Sequence, residues 1–266
     1  MLETIRPGAS APHAQAALFD FDGTLSLFRA GWLDIMLDMM VETLSALSPG
    51  ETPEQIRALS FDLVWPHTGG DTLYQMAEFA GAIRARGGTP LEPQIYKQRF
   101  LEQLYEVSER RIADVAAGRC APDQYLVPGS RAILEDLRAR GLTLYLASGT
   151  DDDRLQQEAR VLDIARYFDG GIYGALPDAN AFSKGMLVRR IFSQGLIGFG
   201  DGPVEIGEIH RAGALAIGLA TDEPDCLEVS PFKRRSLIDS GADYIVPNYL
   251  CRQSLLPMLF AEHEPL

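Results

Sequence analysis

The apolar positions change their period along the chain. "AALFDF" (16–21) is a short apolar run that stops at an acidic pair, and it predicts a buried strand. The period then becomes helical. "LFRAGWLDIMLDMMVETLSAL" (27–47), "TPEQIRALSFDLVW" (52–65), "TLYQMAEFAGAIRARGG" (72–88) and "PQIYKQRFLEQLYEVSERRIADVAAG" (93–118) each repeat their apolar residues at helix spacing. Thr52-Pro53 is a helix-start signal, and Gly87-Gly88 and Gly118 are stops. "PHTGGD" (66–71) reads as a loop. Beyond residue 129 helical and strand patterns alternate. Helices are predicted over 129–141, 152–164, 183–195, 205–213, 230–241 and 250–263, and strands over 142–148, 170–175, 196–201, 214–221 and 242–248.

Alternating strand and helix imply a parallel sheet covered on both faces. The helical block interrupts it after the first strand. The expected organisation is therefore a discontinuous α/β core (16–26 and 126–266) and an all-helical inserted cap (27–125). Residues 1–15, rich in Pro and Ala, are expected to form a flexible N-terminal arm. An insertion at this point falls over the carboxyl ends of the strands, where open α/β sheets bind ligands.

The net charge is −13 over 266 residues. That argues against nucleic acid or an anionic membrane surface as the main partner, since both call for basic patches. A small anionic substrate remains compatible with it, because a metal ion and a few cations reverse a local field. Cys120, Cys226 and Cys251 lack metal-ligand or redox spacing and read as thiols of a reducing compartment. With neither a signal-type leader nor an apolar run of membrane length, a cytoplasmic protein is expected.

Chemistry gathers at the predicted strand ends. Asp20 and Asp22 close the first strand, and carboxylates beside an apolar core are costly unless something pairs with them. Ser148 and Gly149 follow "LYLA", and Asp201 follows "LIGFG". Lys184 opens a helix in "FSKG", where a cation runs against the helix dipole. Asp151, Asp152 and Asp153 are read as helix-capping residues. The four histidines share no spacing, and none is taken as a catalytic base.

This set resembles the haloacid dehalogenase (HAD) superfamily, in its phosphatase branch with a helical type 1 cap. "DFDGT" matches the first motif, "ASG" with Ser148 the second, Lys184 the third and "GDGPVE" the fourth, in order between residues 16 and 221. The resemblance implies a Rossmann-like core and a Mg²⁺-dependent phosphatase acting on a small phosphorylated metabolite, a sugar phosphate first. It casts Asp20 as the nucleophile that becomes an aspartyl-phosphate. Asp22 becomes the general acid and base. Ser148, Gly149 and Lys184 become the phosphate-binding groups. Asp20, the Asp22 carbonyl and Asp201 become the metal ligands.

An acid at Asp22 separates the phosphoryl-transfer members from those that cleave carbon–halogen or carbon–phosphorus bonds. The fourth motif departs from the usual pattern with Glu205 in place of a second Asp, so Glu205 is expected beside the metal rather than on it. Arg29, His67 and Thr68 are the candidate substrate contacts from the cap. A β-phosphoglucomutase-like transferase and a non-enzymatic phosphate-binding module are the alternatives.

Overall fold

The structure, a computed structural model, describes residues 1–68, 71–176 and 195–262. Its chain divides into two compact units. One comprises residues up to Ala30 and from Ile112 onward, the other Gly31–Arg111.

The first unit is built on a seven-stranded sheet. Its strands are β1 (Glu3–Thr4), β2 (Ala16–Phe19), β3 (Thr143–Asp151), β4 (Gly171–Ala175), β5 (Leu196–Gly200), β6 (Leu215–Leu219) and β7 (Tyr244–Val246). Their order is β1-β7-β6-β5-β2-β3-β4, and every pairing is parallel except β1 on β7. Alternate residues of the central strands enter different cores, as the two-residue period of a strand requires. Ala17, Phe19, Leu144, Leu146, Ile197, Phe199, Ile217 and Val246 share one core with Ile133 and Leu137 of helix α5 (Ser130–Ala139). Leu155 of α6 (Asp152–Val161) and Leu255 of α9 (Arg252–Leu259) join them. Ala16, Leu18, Ala147, Ala216 and Ile245 share the other with Ile206 of α7 (Pro203–Arg211) and Leu237 of α8 (Pro231–Asp239). The sheet is thus covered on both faces, and its buried strands explain the unbroken apolar runs.

The expectation of a flexible N-terminal arm over 1–15 is corrected. Glu3 and Thr4 pair with Ile245 and Tyr244. Arg6 ion-pairs with the buried Asp243 at 2.7 Å, and the Ala11 N–H donates to the Leu259 carbonyl at 2.7 Å. The segment covers what would be an open edge of β7, and an uncovered edge exposes unpaired backbone groups. No apolar periodicity marks such a two-residue strand.

The second unit is helical: α1 (Trp32–Ser45), α2 (Pro53–Val64), α3 (Thr72–Ala85) and the part of α4 (Pro93–Ala116) up to Arg111. Its core joins Met36, Met40, Leu44, Ile56, Phe79, Ile83, Tyr96 and Phe100. Thr52 caps α2 in a reciprocal box with Gln55, so both residues satisfy N–H groups that the first turn leaves open. The expected helix over 27–47 starts only at Trp32. Residues 27–30 form a turn instead, with the Ala30 N–H donating to the Leu27 carbonyl at 3.1 Å, after a tight turn in which the N–H groups of Leu25 and Ser26 both donate to the Phe21 carbonyl at 2.8 Å.

Candidate active site

β2 and β5 are neighbours with Phe19 opposite Phe199, so the residues that follow them, Asp20 and Asp201, emerge side by side. The Asp20 N–H extends the ladder by donating to the Phe199 carbonyl at 2.9 Å. Glu205 comes from the first turn of α7, where its carboxylate accepts the Gly202 N–H at 2.8 Å. One carboxylate oxygen from each of Asp20, Asp201 and Glu205 lies within 4.8 Å of the others.

Gly23 closes over this cluster. Its φ of +72° favours glycine, and a Cβ there would stand 2.2 Å from an Asp201 carboxylate oxygen. Gly23→Ala is expected to displace Asp201 and to lower kcat by about 10²-fold, the scale of a 1 Å misplacement. Steady-state kinetics alongside a thermal melt would check that the loss lies in the site rather than in the fold.

Burial pushes the Asp201 carboxyl up to about 7, with the Lys233 ammonium opposing the shift and the Glu205 and Glu223 carboxylates adding to it. Lys233 lies on α8 and is buried, with Nζ 2.9 Å from Asp201 and 2.7 Å from Glu223. Burial pulls its ammonium down, but the two carboxylates more than offset that, so Lys233 is held above the usual lysine range.

An all-oxygen donor set with an excess of negative charge, close enough to converge on one point, fits a hard divalent cation such as Mg²⁺. Asp20, Asp201 and Glu205 would supply its carboxylate ligands. That brings Glu205 into the cluster itself, whereas the sequence places it beside the metal.

Asp22 faces elsewhere. One of its carboxylate oxygens accepts from Thr150 Oγ1 at 3.0 Å and faces Ser148 Oγ at 3.5 Å; the other accepts from an Arg29 guanidinium nitrogen at 2.8 Å. Ser148 is held in turn by the Thr150 N–H, at 3.1 Å. Gly149 is exposed, with open space around it. The two acids of "DFD" therefore differ in surroundings: Asp20 belongs to the carboxylate cluster, and Asp22 to a set of hydroxyls and a guanidinium.

The placing of Arg29 in the cap is corrected. It belongs to the α/β unit, and its guanidinium is engaged by Asp22 and by Glu158 of α6. His67 and Thr68 lie in the helical unit, His67 stacked on Tyr74 with ring centroids 6.1 Å apart. The Thr68 hydroxyl is buried and has no partner among the described residues. Lys184 falls outside the described residues.

Sequence reasoning missed Lys233, Glu223, Thr150 and Glu158. Two of them carried a signal. Lys233 shares the buried face of its helix with Leu237, and Glu158 shares the buried face of α6 with Leu155 and Ala159. In both cases a charge stands in the apolar phase of an amphipathic pattern.

Fold and carboxylate cluster together define the class: an α/β enzyme with its chemistry at the carboxyl ends of central strands. The family model of haloacid dehalogenase-like hydrolases matches residues 14–213, and the chain belongs to that family. No curated protein matches it. Solved structures share its fold at low identity. A predicted phosphoglycolate phosphatase from Haemophilus somnus has a TM-score of 0.55 at 17% identity, over 92% of this chain and 98% of its own. A phosphonoacetaldehyde hydrolase-like protein from Oleispira antarctica has 0.56 at 16%, over 97% and 98%. A HAD family hydrolase from Deinococcus radiodurans with bound phosphate and sodium has 0.55 at 18%, over 95% and 100%. Among the described residues no helix is long and apolar enough to cross a membrane.

Proposed function

We propose that the protein is a Mg²⁺-dependent phosphatase that hydrolyses a small phosphorylated metabolite, a sugar phosphate first, through an aspartyl-phosphate on Asp20. The observation that carries this reading is the division of labour between the two acids of the first motif. Asp20 stands with Asp201 and Glu205, whereas Asp22 stands among Thr150, Ser148 and Arg29.

An Asp20 carboxylate oxygen attacks phosphorus in line, forming an O–P bond as the bond to the leaving oxygen breaks. Asp22 gives its proton to that leaving oxygen. It then takes a proton from the water that attacks the aspartyl-phosphate, which frees inorganic phosphate and restores Asp20. The Ser148 hydroxyl and the backbone of the exposed Gly149 bind the non-bridging phosphoryl oxygens, with Lys184 as the cation of that subsite. If held by the carboxylates of Asp20, Asp201 and Glu205 together with the Asp22 carbonyl, Mg²⁺ would supply the charge that lets a carboxylate approach a phosphate dianion. The helical unit is read as a cap, with His67 and Thr68 as donors to the leaving group.

The test is phosphate release over a panel of phosphorylated sugars and other metabolites, with Mg²⁺ and with EDTA. Release is expected with Mg²⁺, loss with EDTA, and recovery on adding excess Mg²⁺. Release that persists unchanged in EDTA overturns the metal dependence. Silence across the panel with Mg²⁺ present overturns the phosphatase.

A further inference from the structure

Glu158 stands where an apolar residue belongs. It shares the inward face of α6 with Leu155 and Ala159, and its side chain is 1% exposed. A carboxylate in that position is costly unless it is paired and hydrogen-bonded. Its partner is Arg29, whose two terminal nitrogens lie 2.7 and 2.6 Å from the two Glu158 oxygens. This bidentate fork fixes the plane of the guanidinium as well as its position. The nitrogen that serves Glu158 at 2.7 Å also donates to Asp22 at 2.8 Å.

Exposure rises in steps along this chain of contacts, from Glu158 to Arg29 at 8% to Asp22 at 27%. The anchor is deep and the Asp22 end is the most exposed of the three. Arg29 itself cannot wander, because Phe28 before it is fully buried and the Phe28 N–H is held by Ser26 Oγ at 3.2 Å. Burial pulls the Arg29 guanidinium down, but Asp22 and Glu158 more than offset that, so it stays charged. A buried ion pair contributes little net stability over apolar residues of the same shape, so its geometry is the better reason for its presence.

We infer that Arg29 and Glu158 form a positioning relay that sets the orientation of the Asp22 carboxyl toward the leaving oxygen. The inference rests on the reading of Asp22 as the general acid. Arg29 takes one oxygen of Asp22, while Thr150 and Ser148 face the other, so the carboxyl plane is held from both sides. An arginine that touched the phosphoryl group would act alike on every ester. One that orients Asp22 acts in proportion to the need of the leaving group for a proton.

The experiment compares kcat/KM, which reports the step in which the leaving group departs. The substrates are a hexose 6-phosphate, or whichever alkyl phosphate the panel favours, and p-nitrophenyl phosphate, whose leaving group needs no proton. The variants are Arg29→Lys, which keeps the charge and loses the fork, and Glu158→Gln, which keeps the shape and loses the anchor. Each is run with a thermal melt. Both are expected to lower kcat/KM on the alkyl ester by about 10²-fold, within the range of general acid catalysis, and by less than about fivefold on p-nitrophenyl phosphate.

An equal fall on both esters, or wild-type behaviour of Arg29→Lys, overturns the relay while Asp22 and the phosphatase stand. If the wild type releases phosphate from neither ester, the phosphatase reading fails on its own account. The relay is then judged on crystal structures of the wild type and Arg29→Lys, where an unchanged Asp22 side chain overturns it.

Discussion

Asp20→Asn is expected to remove turnover, lowering kcat by about four orders of magnitude or more, the scale on which losing a covalent nucleophile acts. An amide at this position is nearly the same shape, but its nitrogen offers no lone pair for attack and its oxygen carries no charge. The fold should not suffer. Asp20 stands against Asp201 and Glu205, so neutralising it relieves like-charge repulsion in a buried cluster. The thermal midpoint of Asp20→Asn in metal-free buffer should therefore equal or exceed that of the wild type, as is common where a site holds strained charge.

Asp22→Asn should behave differently. Its loss should be about 10²–10⁴-fold on an alkyl ester and much smaller on p-nitrophenyl phosphate. Quenching the Asp22 variant early in the reaction should trap phosphate on the protein, and quenching the Asp20 variant should trap none. Retention of more than about 1% of wild-type turnover by Asp20→Asn would remove the covalent step from the mechanism.

The sheet and its central acids were legible because they follow from local pattern. Buried parallel strands read as short apolar runs, and a carboxylate at the end of such a run has few structural uses. "LFD" and "FGD" alone place Asp20 and Asp201 at strand ends, and the order of the strands brings those ends together. Three things were not legible, for separate reasons. The two-residue strand at Glu3–Thr4 is too short to carry a period, and it exists because β7 offers an edge. Residues 27–30 read as helix because Leu27 and Phe28 fall in phase with the helix that follows, although Gly31 with φ +91° interrupts it. The charged groups behind the site, Glu158 and Lys233, reach it from helices far away in sequence, and only the tertiary fold gives them partners. What local pattern did offer was their anomaly, a charge in the buried phase.

Lys233→Met carries the largest expected effect on stability. The lysine is one of two buried residues on α8, and its ammonium is shared between Asp201 and Glu223. Removing one member of a buried ion pair leaves the other charged and desolvated, at a cost of about 3–5 kcal/mol. For a chain of this size that corresponds to a fall of roughly 10 °C in the thermal midpoint. Methionine preserves most of the volume, so a cavity contributes little of the loss.

The cause is separable by a second substitution. Glu223→Gln alone should cost less, because Lys233 keeps Asp201. Placed on top of Lys233→Met it should recover part of the loss, because one of the stranded charges is gone. Residues in one network are expected to couple in this way, and a double-mutant cycle measures the coupling. A surface pair would behave otherwise, losing no more than about 1 kcal/mol with little coupling. A loss that small in metal-free buffer would mean that Lys233 is not the buried counterion of Asp201. The carboxylate cluster would then need a counterion other than this lysine, such as the proposed cation, to be tolerated in the fold.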